Sequence, residues 1–197
     1  MLDSERDKLN HYEHKYLSIG ITEGGVPRMS GFVPWDGTCN AFNMRTPNIY
    51  FEEEDFQDPE ILEALSRFCV FGCYIFTPLK NYDFLAQFTE IEDLFIRYGS
   101  AIRDLSFVRN MEELFMLYLE DAHLPDLEPL FPEGRKYRMA NRCLGFYHCQ
   151  VDDIRALVDS KVYLSELKIW PEKGDPEDKK RWKAARCGRF RYCEEKE

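Results

Sequence analysis

Between Leu94 and Leu130 the chain repeats itself, and that repetition limits what it can fold into more than any other feature. Leu94-Phe-Ile96-Arg-Tyr-Gly-Ser-Ala-Ile102-Arg-Asp104-Leu105 lies over Met116-Leu-Tyr118-Leu-Glu-Asp-Ala-His-Leu124-Pro-Asp126-Leu127 at an offset of 22 residues. Ile102 falls on Leu124, Asp104-Leu105 on Asp126-Leu127, and Val108 on Leu130. Each unit is a short apolar strand, a polar corner, a buried aliphatic, Asp-Leu and a closing aliphatic. One unit of this size cannot hide its own apolar side, so neighbours must stack to make a continuous core.

A fixed period of about 20–29 residues with this order of strand, corner and aliphatics is the grammar of leucine-rich repeats. The stretch resembles a leucine-rich repeat of the 22-residue, internalin-like kind. It departs from that pattern at the corner, where Ser100, Ala122 and Cys149 stand in place of the usual Asn. The resemblance implies an α/β fold: a short leucine-rich-repeat solenoid with an N-terminal cap and a C-terminal helical segment. The expected boundaries are 1–69 for the cap, 70–170 for about five degenerate repeats and 171–197 for a basic C-terminal segment.

Outside the clearest units the pattern loosens. Asp83-Phe84 precedes Asp104-Leu105 by 21 residues, and Asp153-Ile154 follows Asp126-Leu127 by 27, with the excursion Pro132–Asn141 between them. The recurring Asp83, Asp104, Asp126 and Asp153 each precede a buried residue where a short helix or turn begins. A carboxylate there accepts from free backbone N–H groups, so these aspartates read as caps. Asp58-Pro59-Glu60 and Asp175-Pro176-Glu177 carry the same cap followed by an N1 proline. The first predicts a helix from about 59 to 68. Upstream, Leu9–Leu17 predicts a helix, Ile49–Phe51 a strand, and Gly20, Gly24-Gly25, Pro27, Gly31, Pro34 and Gly37 a turn-rich connection.

The formal charge of −10 disfavours non-specific binding to nucleic acid or anionic membranes. No apolar run reaches membrane-spanning length, and the mixed-charge N-terminus has no signal-peptide core. Seven cysteines without a C-x-x-C pair read as buried, reduced thiols, which suits a cytoplasmic protein. The acid run Glu52–Asp55 lacks the spacing of a calcium loop.

Catalysis needs a nucleophile with its base, paired carboxylates or metal ligands in one place. His11 and His14 share a helical spacing but have no third ligand. His148-Cys149 would point to opposite faces of a strand, and Gly24-Gly25 lacks phosphate-loop spacing. The expectation is therefore a non-enzyme without cofactor or metal.

What remains is a surface. In the resembled family the inward strand pair stands nine and seven residues before the recurring Asp. That count puts Tyr74 and Phe76, Phe95 and Arg97, Leu117 and Leu119, and Leu144 and Phe146 in the core. The opposite, concave column is then Ile75, Thr77, Ile96, Tyr98, Tyr118, Glu120, Tyr147, Lys168 and Trp170. Aromatic side chains in an exposed column mark interfaces, so another protein is the expected partner. The alternative is a regulatory nucleic-acid-associated protein using Lys179–Arg191, a stretch of seven basic residues without an acid. The acidic remainder of the chain argues against it.

Overall fold

The computed structural model describes residues 1, 3–11, 16–21, 50–132 and 142–193. The glycine- and proline-punctuated connection from Gly24, Cys39, His14 and nearly all of the Pro132–Asn141 excursion lie outside the described residues.

The chain is mixed α/β. Among the described residues ten strands run β1 (Tyr16–Ile21), β2 (Tyr50–Phe51), β3 (Cys69–Ile75), β4 (Asp93–Ile96), β5 (Met116–Glu120), β6 (His123–Asp126), β7 (Arg142–Tyr147), β8 (Gln150–Asp153), β9 (Leu164–Trp170) and β10 (Cys187–Tyr192). The helices are α1 (Asp3–His11), α2 (Pro59–Leu65), α3 (Arg155–Asp159) and α4 (Pro176–Trp182). Eight strands form one sheet in the order β10-β9-β7-β5-β4-β3-β1-β2, while β6 and β8 pair separately. Every pairing among the described residues is parallel.

The ladder stacks aliphatic residues in rows, one register away from the 22-residue overlay, which sets Leu94 over Met116. Leu94 pairs with Leu117, Leu117 with Leu144 and Leu144 with Leu167, and all four are buried. Ile75, Ile96, Leu119, Phe146 and Ile169 form a second buried row. The connections from β3 onward complete this core with Leu85, Leu105, Leu127, Leu130 and Leu157, none more than 2% exposed. A core residue of this kind contributes roughly 1.5–3 kcal/mol through burial.

One device recurs in the connections. Ser106 N–H donates to Asp104 Oδ1 at 2.7 Å, Glu128 N–H to Asp126 Oδ1 at 2.7 Å, and Arg155 N–H to Asp153 Oδ1 at 2.8 Å. Glu60 N–H donates likewise to Asp58, and Glu177 N–H to Asp175, each at 2.9 Å. In the connection from β3 to β4 the acceptor is Asn81, not Asp83: Asp83 N–H donates to its Oδ1 at 3.1 Å. An Asx turn thus opens the connection before each of β3, β4, β5, β7, β9 and β10.

Three expectations change. The helix expected at Leu9–Leu17 ends at His11, and Tyr16–Ile21 is a strand with Ile19 and Ile21 fully buried. Ile19 and Ile21, two residues apart, face one core as strand alternation allows and helical spacing does not. The sheet also runs through the boundaries expected at 69/70 and 170/171, because β1 pairs with β3 and β10 with β9. After α4 the chain forms β10 where only a helical segment was expected; Trp182, 2% exposed, closes the core against Phe146, with ring centroids 5.5 Å apart.

Candidate functional site

The connections from β3 onward bury their apolar residues against one face of the large sheet. The other face carries side chains that are only half-buried, and it is the candidate site. Alternation along each strand determines its membership. Tyr74, Phe95, Tyr118, Gly145, Lys168 and Arg191 are direct neighbours across six strands.

Five rings cross this open face in a continuous path. Phe76 lies 5.3 Å from Phe95, Phe95 6.3 Å from Tyr118, Tyr118 5.9 Å from Tyr147, and Tyr147 stacks on Trp170 at 4.4 Å. Gly145 makes the path possible. A Cβ at that position would fall 2.0 Å from Tyr118 Cδ1 and 2.3 Å from its Cε1, so the ring occupies the space a side chain would need. With that space free, Tyr118 reaches across β7, and Lys168 Nζ donates to its hydroxyl at 3.1 Å.

Charge divides the face. On the β9–β10 side, Glu166 meets Lys168 at 3.1 Å, Arg191 at 3.5 Å and Arg189 at 3.7 Å, an acid surrounded by three bases. Burial pulls Lys168 downward, but the Tyr118 hydroxyl and Glu166 outweigh it and raise its pKa above the ordinary lysine value. On the β4–β5 side stands Asp93, whose pKa burial raises while the Tyr74 hydroxyl bond opposes the rise. Burial, with the Asp93 charge beside it, pushes Tyr74 to about 12. Glu92 is also raised, by burial and by the charges of Asp93 and Glu113. Between these two sides lies a cavity of ≈ 210 Å³ lined by Tyr74, Asp93, Leu94, Phe95, Met116, Tyr118 and Tyr147.

Of the nine expected partner-binding residues, the structure brings Tyr118, Glu120, Tyr147, Lys168 and Trp170 together on this face. Ile75 and Ile96 are fully buried on the core side, and Thr77 is 8% exposed, so these three are corrected to the core. Tyr98 lies beyond β4, half-buried, its carbonyl accepting from the Tyr82 hydroxyl at 2.6 Å. Tyr74, Phe76, Phe95 and Arg97, counted as inward from the sequence, take the open-face positions instead.

On β3 the count starts from Asp83 where Asn81 is the turn acceptor, and on β4 the cause is one residue. From Leu119 to Asp126 is seven residues, but from the equivalent Ile96 to Asp104 is eight, because a 3-10 turn at Gly99–Ala101 forms the corner after β4. After β5 the corner is made by Asp121 alone in the left-handed region, φ 61°. Counting back from the Asp therefore gives the correct face for β5 and β7 and the opposite face for β4. Arg97 was the visible signal, since an arginine among inward aliphatics marks a count that has slipped. Asp93 and Met116 stand in no motif that marks them in the sequence.

The thiols are poor nucleophiles where they are buried. Burial raises Cys73 to about 12 and Cys149 to about 11. Cys149 ties a corner together: Ala122 N–H donates to its sulfur at 3.5 Å, and its S–H lies 3.3 and 3.4 Å from the Tyr147 and Leu119 carbonyls. None of the six described cysteines forms a disulfide. No cluster of three His, Cys, Asp or Glu suited to a metal occurs among the described residues, and no described helix is long and apolar enough to cross a membrane. In the basic segment, Arg181 donates to the Val151 and Asp152 carbonyls and pairs with Asp178, while Lys180 pairs with Glu177. Comparisons with protein-family models, with curated proteins and with solved structures find no match for this chain.

Proposed function

We propose that this chain is a non-catalytic protein-interaction module: a short solenoid of leucine-rich-repeat type that binds another protein through its open sheet face and acts in the cytoplasm. The observation that carries the reading is the five-ring path from Phe76 to Trp170, left half-exposed on the sheet face turned away from the aliphatic core. Large rings with few rotatable bonds are the side chains that carry most interface energy. The recurring Asx turns and the aligned buried rows support the repeat architecture.

The test is affinity capture followed by direct binding of the purified partner to wild type and to Trp170→Ala with Lys168→Ala. Both of those side chains lie outside the cavity. Loss of binding with unchanged thermal unfolding supports the open face. Undiminished binding by the variant overturns the reading.

A further inference from the structure

We propose that the cavity between Tyr74, Phe95, Tyr118 and Tyr147 is an aromatic cage for the methylated ammonium head of a lysine side chain on a basic partner, an inference that rests on the open face binding protein. Four rings on four neighbouring strands border it, with Asp93 at one side and Met116 between them. Phe95 and Tyr118 are inclined at 44°, and Tyr118 and Tyr147 at 50°, so the rings form walls, not a flat platform. At ≈ 210 Å³ the space is smaller than the roughly 300–1,000 Å³ of sites for whole small molecules and suits one side chain.

Charge selects the occupant. Asp93 lines the cavity together with Tyr74 and takes part in none of the described ion pairs. Glu92 and Glu113 stand near enough for their charges to be felt with it. An anionic side chain would meet the Asp93 carboxylate at the cavity wall, whereas a cation gains from the ring faces and from Asp93 together. The number of N–H donors narrows the class further. Arginine brings five donors and unmodified lysine three, but apart from Asp93 and tyrosine hydroxyls the lining is apolar. A trimethylated ammonium asks for no acceptor, and its methyl groups pack on rings. This face already holds one cation in such a setting: Lys168 Nζ lies 5.2 Å from the Tyr118 ring centroid, its charge balanced by Glu166.

The experiment titrates the full chain with N-acetyl-lysine amide, its trimethylated form, and the neutral tert-butyl carbon analogue, at constant ionic strength, following the NMR resonances of the cavity-lining residues. The expected result is binding of the trimethylated form about tenfold tighter than the carbon analogue, the size of a desolvated cation–π contact. Asp93→Asn, which keeps shape and acceptor, should shrink that preference several-fold, and Phe95→Ala should remove binding. Equal binding of the carbon analogue, or no shift of the cavity resonances, overturns the cage. If that happens while the Trp170→Ala, Lys168→Ala variant still loses its protein partner, the cage alone is wrong. Preference for the trimethylated form beside undiminished capture by that variant sinks the protein-binding reading and keeps the cation site.

Discussion

The two faces of the large sheet are made by the same strands, yet they follow different rules. On the core face the positions repeat in kind: Leu94, Leu117, Leu144 and Leu167 in one row, Ile75, Ile96, Leu119, Phe146 and Ile169 in the next. On the open face neighbours differ at each step, from Tyr74 and Phe95 to Tyr118, Gly145, Lys168 and Arg191. Uniform aliphatics are what stacking demands, because each strand meets the same environment. The varied row has no such demand on it, and it holds the rings, the cavity and the separated charges. Folding accounts for the first face, and the proposed binding role draws on the second.

The largest contrast should come from adjacent residues. Leu117→Ala, at a fully buried position, should lower the stability measured by urea unfolding by about 2–5 kcal/mol. Tyr118→Ala, its neighbour on the other face, should cost less than about 1 kcal/mol, as changes away from a packed core usually do. Comparable losses from both would mean that the open face is part of the folding core.

Gly145→Ala probes the place where the faces differ most. Its methyl would collide with the Tyr118 ring. The expected loss is about 1–3 kcal/mol, as for other overpacked sites. Adding Tyr118→Ala should recover most of it in a double-mutant cycle. Additive losses would show that the glycine serves the backbone and not the ring.

A smaller effect is expected in the connections. Removing a cap acceptor by Asp104→Ala or Asp126→Ala should cost about 1 kcal/mol each in thermal or urea unfolding. Asp83→Ala should cost distinctly less, because Asn81 holds that turn.

The smallest change has a defined sign. Asp93 is raised above 3.8 in the folded chain, so the folded state keeps a proton that the unfolded state has already released. Stability at this site is therefore greatest below 3.8 and falls as pH rises through the folded value. Asp93→Asn should be slightly more stable than wild type at neutral pH, with the gap closing at acid pH. Glu92, raised in the same direction, remains in both proteins and cancels in the comparison. A variant less stable at neutral pH would mean that the Tyr74 bond, not desolvation, dominates there. A gain in stability joined to a loss of trimethyl-lysine preference would identify Asp93 as a residue kept for binding.

What the sequence alone determined was local or periodic. The repeat from Leu94 to Leu130 identified the buried aliphatics Ile102, Leu105, Val108, Leu124, Leu127 and Leu130, and the Asp-x-x caps located the connections. Both signals act within a few residues and survive any tertiary arrangement. The facing of β3 and β4 was decided only by the assembled sheet. Side chains alternate along a strand, so the extra corner residue between Ile96 and Asp104 exchanges the two faces, and only hydrogen bonding to the next strand fixes the register. The sequence placed Tyr118, Tyr147 and Trp170 on one surface, but Phe95, Asp93 and the Gly145 gap joined them through pairings between residues about 22 to 50 positions apart in the chain. No local pattern carries that information, because the cavity belongs to no single strand and exists only where four strands meet.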